Sequence, residues 1–306
     1  MNQANNPSNK DEYIIKNLGR NKRKVYKPIP LLDGIEEIKN DIQERLKEGD
    51  VTYGLEILDD NVETIRKGSL TFIIAPPNVG KSNVGLTIAR HLAKQGKLVL
   101  ICSCEMGAGL LMERELRNLA GLSPKELKIA YQNNPDMAER MLNNVYESET
   151  YKYLQNISIC ETGGASVFDI IDMLEAFPEY EYIIVDYIQR IRGTGTDYEN
   201  VSEAARELQT FARRSLKPLI ICSQASRQSV SSAKSKDGYD FSQVKGKGSG
   251  SIEEDGDVGI SLIEDISDGN KYILMTLFKN RYGANKNITY KYKVNSRLQY
   301  EFMGVV

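Results

Sequence analysis

A glycine followed by a lysine and a serine stands between an apolar run and a stretch of helical character. The run Leu70–Ile74 predicts a buried strand, and the residues that follow the serine predict a helix. A loop in this setting directs its backbone N–H groups at phosphate oxygens, and the helix N-terminus adds positive partial charge. Lys81 would reach the β- and γ-phosphates, and the Ser82 hydroxyl would hold Mg²⁺. The predicted nucleotide contacts are Ala75, Pro76, Pro77, Asn78, Val79, Gly80, Lys81, Ser82 and Asn83.

This P-loop matches the relaxed form of the pattern, because Ala75 stands where the strict form has glycine. The alternative is an ordinary turn between a strand and a helix. A second strand, Tyr182–Val185, ends at Asp186, where a P-loop ATPase places the carboxylate that holds the Mg²⁺ shell. The predicted metal residues are therefore Ser82 and Asp186.

Hydrolysis requires a carboxylate that orients and deprotonates the attacking water. Glu105 follows the predicted strand Leu98–Cys104, which we expect beside the P-loop strand, and it is the predicted general base. Glu161, just past another short strand, is the alternative. Gln224 ends a further strand and is predicted to sense the γ-phosphate, unless it is only a polar residue at a strand end.

Two cations, Lys279 and Arg281, follow the predicted strand Tyr272–Phe278. Cations at one strand end could complete a phosphate site, and a cation from a neighbouring subunit would stabilise charge that develops in the transition state. The alternative is a solvated pair with no such role.

The composition excludes several classes of protein. The chain has 306 residues, of which 41% are hydrophobic and 27% charged, and its formal net charge is −2. The hydrophobic and charged fractions are typical of a soluble globular protein. Because the net charge is slightly negative, contacts with nucleic acid must come from local basic segments. We expect no secretory signal, since the N-terminus has no apolar core region. His91 is predicted to be structural, and the four cysteines to be reduced thiols, with Cys102 and Cys104 on one face of a strand.

Along the chain we expect three regions. Residues 1–30 form a basic arm, interpreted as flexible in preference to DNA-binding, and residues 31–50 contain a helix capped by Asp33 with Glu36. The apolar stripe of that helix could pack on its own domain or on a neighbouring subunit. Residues 51–306 predict an α/β domain with a mostly parallel sheet and antiparallel edge strands. Strands are predicted at 69–75, 98–104, 156–160, 181–186, 218–223, 258–263, 271–279 and 288–294, and helices near 81–94, 108–120, 124–147, 167–177 and 201–216. Ser123 is predicted to cap the third of these helices, with Pro124 at its first position and the acidic Glu126 at its third.

Six ordered motifs together resemble the C-terminal ATPase domain of DnaB-type replicative helicases, within the RecA-like class. The resemblance runs from about residue 50 to about residue 295. Its motifs are Ala75–Ser82, Ser103–Met106 with Glu105 as catalytic base, Val185–Gln189, Cys222–Arg227, Ser249–Asp257 and the Lys-x-Arg-x-Gly run Lys279–Gly283, which acts on the neighbour's nucleotide.

The resemblance implies a RecA-like P-loop NTPase that uses ATP and Mg²⁺ in a hexameric ring. It implies 5′→3′ translocation on single-stranded DNA in the central channel, a helicase loader and a primase as partners, and a place at the replication fork in the cytoplasm. It also implies that the helix of residues 31–50 docks on the next subunit. The segments Arg192–Asn200 and Arg227–Lys247 match the family's DNA loops, which gives as DNA-binding residues Arg192, Arg227, Lys234, Lys236, Lys245 and Lys247.

Two other functions remain open from the sequence. A filament-forming recombinase would share the P-loop and the core, although the Lys-x-Arg-x-Gly pattern argues against it. A ring-shaped scaffold ATPase would not act on DNA, and the basic loop argues against that function.

Overall fold

The structure, a computed structural model, describes residues 30–121, 123–146, 148–226, 234–235, 238–239, 255–267, 269–284 and 286–306. Two compact units divide between Gly49 and Asp50. The first contains α1 (Asp33–Glu48), whose last turn is followed by Gly49 at φ 81°. The predicted Asp33 cap is wrong, because Leu32 already has helical φ and ψ and precedes the helix without a side-chain cap. Asp33 therefore lies inside the first turn, where it cannot adopt the extended conformation of a cap.

The second unit is built on a sheet whose described part has nine strands. The described residues of this unit also include two short strands outside that sheet. In chain order all of these strands are β1 (Leu70–Ala75), β2 (Val99–Ser103), β3 (Ile157–Glu161), β4 (Tyr182–Asp186), β5 (Leu219–Gln224), β6 (Lys234–Ser235), β7 (Gly238–Tyr239), β8 (Val258–Ser267), β9 (Asn270–Asn280), β10 (Ile288–Val294) and β11 (Tyr300–Val305). β6 and β7 form a separate antiparallel pair. The other nine run in the order β11-β10-β9-β8-β1-β5-β4-β2-β3.

The six strands from β8 to β3 are parallel, and β9, β10 and β11 extend the sheet in antiparallel fashion. This confirms the predicted mixed sheet. The expectation that β2 lies beside β1 is wrong, because β5 and β4 separate the two strands. β2 instead pairs with β4 on one side and β3 on the other, so the residues after β2 lie next to the end of β4.

The helices of this unit cover both faces of the sheet. They are α2 (Glu56–Asp59), α3 (Lys81–Lys94), α4 (Ala108–Ala120), α5 (Pro124–Asn133), α6 (Pro135–Tyr146), α7 (Glu149–Lys152), α8 (Val167–Ala176) and α9 (Asp197–Ser215). Successive residues of a strand point to opposite faces, so β1 serves two cores. Ile73 packs with Val84 and Ile88 of α3, whereas Phe72 packs with Leu208 and Phe211 of α9.

Several elements differ from the predictions. The helix expected at 124–147 is two helices, because Asn134 is extended before Pro135, as a residue before proline prefers to be. α9 begins four residues earlier than predicted, where Thr196 and Glu199 form a capping box. β11 was not predicted. The predicted helix start at Ser123 is confirmed, with a capping box to Glu126.

Candidate functional site

The P-loop connects the end of β1 to the start of α3. Gly80 has a φ of 111°, a left-handed conformation that glycine adopts without steric cost. A Cβ there would lie 3.0 Å from the hydroxyl of Tyr300, which donates to the Gly80 carbonyl. Asn78 is also left-handed, with a φ of 64°. The loop thus places Lys81 and Ser82 in the first turn of α3, as the sequence predicts.

Lys81 and Asp186 meet across the ends of β1 and β4. The Lys81 ammonium lies 3.0 Å from Oδ1 of Asp186, and the two side chains are 13% and 8% exposed. The ammonium also lies 3.9 Å from the ring centroid of Tyr187, which follows Asp186 through a cis peptide bond. Cation and ring attract each other when they are shielded from water.

Ser82 and Asp186, the two predicted metal residues, line one small cavity between α3 and β4. A hydroxyl and a carboxylate are oxygen donors of the kind that Mg²⁺ prefers, and Mg²⁺ takes few protein ligands when phosphates and waters supply the rest. The donor set therefore fits this ion.

Glu105 lies just beyond β2, beside the end of β4, where the Cys104 N–H donates to the Asp186 carbonyl. Its Oε1 accepts a hydrogen bond of 2.7 Å from Nη2 of Arg190. The alternative base, Glu161, accepts instead from the backbone N–H of Ala108 at the start of α4. Glu105 lines the same cleft as Lys81, and Glu161 does not belong to that lining.

Gln224 ends β5 and also lines the cleft. Its backbone N–H donates to Oε1 of Gln189, whose amide nitrogen donates to the Ser223 hydroxyl and the Gln224 carbonyl. These bonds hold the backbone at the end of β5 against the segment that follows β4.

The cleft measures about 780 Å³ and brings together most of the predicted nucleotide residues. Besides the P-loop, Glu105 and Gln224, its wall includes residues that were not predicted as site residues, namely Met106, Leu110, Glu113, Arg114, Arg117, Tyr187, Arg190 and Leu298. Arg114 and Arg117 lie one turn apart on α4, and this helical spacing was the signal available in the sequence.

Residues 295–299 connect β10 to β11, and Leu298 among them lines this cleft. The amide of Asn83 donates to the Leu298 carbonyl at 2.8 Å, so this predicted nucleotide residue also holds the turn. Arg117 donates to the Ser296 carbonyl, and Asn118 donates to that of Arg297. The turn is thereby tied to both α3 and α4.

Lys279 and Arg281 lie at the opposite end of the sheet from the P-loop of their own chain. β9 is antiparallel to β8, so its last residues are level with Val258, the first residue of β8. Arg281 donates its backbone N–H to the Asp257 carbonyl, and the Asp257 N–H donates to Leu70, where β1 begins. The six residues of β1 separate this end from the P-loop, about 17 Å at roughly 3.3 Å per step.

The predicted DNA-binding residues fall in two groups. Arg192 is exposed and donates its backbone N–H to Ala165, and residues 197–200 of the expected loop belong to the first turn of α9. Lys234 lies on β6, opposite Tyr239 of β7. Arg227, Lys236, Lys245 and Lys247 lie outside the described residues.

The histidine and the cysteines lie where the sequence predicts. His91 is half-buried, and its Nε2 lies 2.7 Å from the Thr52 hydroxyl. The four cysteines are free thiols, and Cys102 and Cys104 belong to one core cluster. Burial raises the pKa of the Cys102 and Cys104 thiols above their usual range.

Among the described residues no helix combines the length and the apolar character needed to cross a bilayer.

A mostly parallel sheet, a cleft lined by a P-loop and a glutamate, and a strand-end aspartate paired with the P-loop lysine define a RecA-like P-loop NTPase. More narrowly, the chain belongs to the family described as DnaB-like helicase C terminal domain, which matches residues 50–300. It is 31% identical over 249 residues to "Replicative DNA helicase DnaC" of Bacillus subtilis (strain 168), covering 76% of this chain and 50% of that protein.

Further comparisons agree. "Replicative DNA helicase DnaB" of Geobacillus stearothermophilus is 30% identical over 272 residues, covering 84% of this chain and 53% of that protein. The chain thus spans about half the length of these curated relatives. Among solved structures, one described as an ATPase domain superposes with a TM-score of 0.75 at 19% identity, covering 91% of this chain and 100% of that one. A DnaB-like replicative helicase described with its primase interactions gives a TM-score of 0.70 at 20% identity, over 88% of this chain and 65% of that one. Both solved structures share the fold of this chain.

Proposed function

We propose that this chain is the motor of an ATP-dependent replicative DNA helicase. It forms a hexameric ring and translocates 5′→3′ on single-stranded DNA in the central channel. The observation that most directly supports this function is that the predicted catalytic residues lie in two groups, at opposite ends of the sheet. Lys81, Asp186 and Glu105 lie at the C-terminal ends of the parallel strands, whereas Arg281 lies at the other end of β1. A cation of this kind can reach a γ-phosphate only from a neighbouring subunit.

Each residue of the cleft has a role in this function. Lys81 contacts the β- and γ-phosphates of ATP, Glu105 accepts a proton from the attacking water, and Gln224 contacts the γ-phosphate. Ser82 and Asp186 would hold Mg²⁺, which when bound neutralises charge on the phosphates. Lys279 and Arg281 stabilise the transition-state charge on the nucleotide of the adjacent subunit.

The DNA contacts follow from charge rather than from base recognition. We assign the grip on the strand to Arg192, Arg227, Lys234, Lys236, Lys245 and Lys247, because cations that follow the backbone bind single strands without reading bases. A helicase loader and a primase are the further partners that the family pattern supports.

Strand displacement on a forked DNA with a 5′ tail tests the function. The wild-type chain and Lys81→Ala are compared with ATP, and a fork with only a 3′ tail serves as the polarity control. Unwinding that needs ATP, needs Lys81 and prefers the 5′ tail supports the proposal. Equal use of both tails contradicts the polarity.

The recombinase alternative gives a different outcome in the same assay. A filament-forming ATPase would bind the single strand and leave the fork unopened, and it would elongate with DNA length instead of forming rings of fixed mass. Binding without a steep dependence on salt would instead support a scaffold ATPase that does not act on DNA.

A further inference from the structure

Arg190 connects two residues of the cleft, although no sequence pattern singles it out. Its Nε donates to the hydroxyl of Tyr187 at 2.8 Å, and its Nη2 donates to Oε1 of Glu105 at 2.7 Å. Its guanidinium carbon also lies 5.7 Å from the centroid of the Tyr187 ring. Tyr187 itself is 6% exposed and packs beneath Lys81. Arg190 is thus held by a buried ring and in turn holds the predicted base.

The ion pair between Arg190 and Glu105 contributes little to the stability of the fold. Its effect on function therefore depends on how it orients the Glu105 side chain. The side chains of Arg190 and Glu105 are 53% and 43% exposed. Exposed pairs of this kind add little to the stability of a fold, because water and salt screen their attraction. Glu105 follows β2 in a bend outside regular structure, and its own side chain has several rotatable bonds. The guanidinium contact therefore selects one orientation of a carboxylate that its own backbone leaves variable.

The contact engages only one of the two carboxylate oxygens. Arg190 occupies one lone pair of Oε1 of Glu105, and Oε2 keeps both of its lone pairs for a proton from water. A general base must lie within hydrogen-bond reach of the proton that it removes. A fixed Oε1 thus determines where the accepting oxygen points.

We propose that Arg190 is a positioning residue for ATP hydrolysis, which orients Glu105 through a Tyr187–Arg190–Glu105 chain of hydrogen bonds. This inference rests on the proposed function, since it presupposes Glu105 as the general base. Arg190 acts through Glu105 and takes no proton itself. Its loss should reduce kcat and leave KM for ATP close to the wild-type value, because the P-loop contacts are unchanged.

The experiment measures ATPase kinetics with saturating single-stranded DNA for Arg190→Gln, Arg190→Lys, Glu105→Gln and the double variant Arg190→Gln/Glu105→Gln. Misplacing a catalytic group by about 1 Å costs about 100-fold in rate, so we expect Arg190→Gln to lower kcat by about 10- to 100-fold. Arg190→Lys should recover part of this loss, since it restores the charge but not the planar two-point contact.

Arg214→Gln is the matched control. Arg214 pairs with Glu175 away from the cleft, and the two side chains are 54% and 52% exposed, like those of the Arg190 pair. This variant breaks an equally exposed Arg–Glu pair and should keep wild-type kcat. Thermal unfolding is measured alongside, and Arg190→Gln and Arg214→Gln should unfold at similar temperatures.

The outcomes separate this inference from the proposed function. If Glu105→Gln leaves only a small residual turnover and Arg190→Gln has the kcat of Arg214→Gln, the positioning role is overturned and the base assignment stands. If Glu105→Gln hydrolyses ATP normally, the base assignment falls and this inference falls with it. In the double variant, Arg190→Gln should add no further loss to that of Glu105→Gln. A further loss of the same factor would show that Arg190 acts independently of Glu105.

Discussion

The guanidinium of Arg281 lies 2.7 Å from Oδ1 of Asp257, at the end of the sheet where β1 begins. Asp257 is buried, its other oxygen accepts from the Leu70 N–H, and Arg213 approaches it to 3.9 Å. Removal of Arg281 therefore leaves Asp257 with partners, and the fold should persist. We expect Arg281→Ala to lower ATP turnover by about 10³-fold or more, the usual effect of losing an arginine finger, while ATP binding is retained.

The control for this variant is Arg213→Ala, which removes the other arginine near Asp257 and should keep turnover. Mixing Arg281→Ala with Lys81→Ala should restore part of the activity, because some interfaces then combine an intact P-loop with an intact Arg281. Equal loss of activity in both arginine variants would attribute the effect to Asp257 instead of to the neighbour's nucleotide.

Lys81→Ala should weaken the binding of a fluorescent ATP analogue by about 10- to 100-fold or more. The ammonium supplies charge-assisted contacts to the phosphates, and each such contact contributes about 1.5–3 kcal/mol. Lys128→Ala, an exposed lysine on α5, changes the net charge equally and should bind normally. Unaltered affinity in Lys81→Ala would contradict the assignment of the P-loop. Because Asp186 loses its buried partner, we also expect a lower unfolding temperature in Lys81→Ala.

Much of this site follows from local sequence signals. The P-loop, the strand that ends at Asp186 and the capping box at Ser123 depend on neighbouring residues only, and local patterns predicted them. The order of the strands depends on contacts between distant segments, so the expectation for β2 was wrong although Glu105 still lines the cleft.

The start of α9 and the break before Pro135 could have been predicted from the sequence, whereas the contacts of Arg190 could not. The Thr196–Glu199 capping box and Pro135 were visible signals that were not used. The contacts of Arg190 were not predictable, because no spacing rule relates it to Glu105, which lies 85 residues away.

Acid should destabilise the fold through His91. Burial lowers the pKa of His91, and the charge of Lys94 lowers it further. The unfolded chain, with an ordinary pKa of about 6.5, then binds more protons than the folded chain. The stabilisation is complete above about pH 6.5 and is lost as the pH falls through the folded pKa. Because the ring is half-buried, the slope should stay below the one-proton limit of about 1.4 kcal/mol per pH unit.

The test compares thermal unfolding of wild type and His91→Gln from about pH 7.5 to about pH 5.5. His91 is the only histidine of the chain, and glutamine can still bond to Thr52. Burial raises the pKa of the carboxyl groups of Glu115 and Asp59, so these two groups stabilise the fold as the pH falls, opposite to His91. Their effect is the same in the wild type and in His91→Gln, and it cancels in the comparison. The wild type should lose more stability than His91→Gln on acidification. Parallel curves would show that the ring does not contribute.

Gly54 should tolerate no side chain. Its φ is 73°, and an added Cβ would overlap the ring of His91. Gly96 has a similar φ of 77°, but a Cβ there meets nothing within 4 Å. Gly96→Ala should therefore lower the free energy of unfolding only by the backbone strain, about 1–2 kcal/mol. Gly54→Ala should lower it by the same strain and by a further overpacking cost of about 1–3 kcal/mol. Chemical denaturation measures both free energies of unfolding, and equal losses would argue against the overlap.

The turn of residues 295–299 has a consequence for the order in which the domain is made. The Tyr300 hydroxyl bonds to Gly80 across 220 positions, and Leu298 accepts from Asn83 across 215. Contacts of such separation form only when both partners have left the ribosome. A nascent chain that has emerged as far as Val294 carries its P-loop but has no wall at Leu298. Nucleotide therefore meets a cleft with all of its walls only after Leu298 has left the ribosome, more than 200 residues after the P-loop has done so.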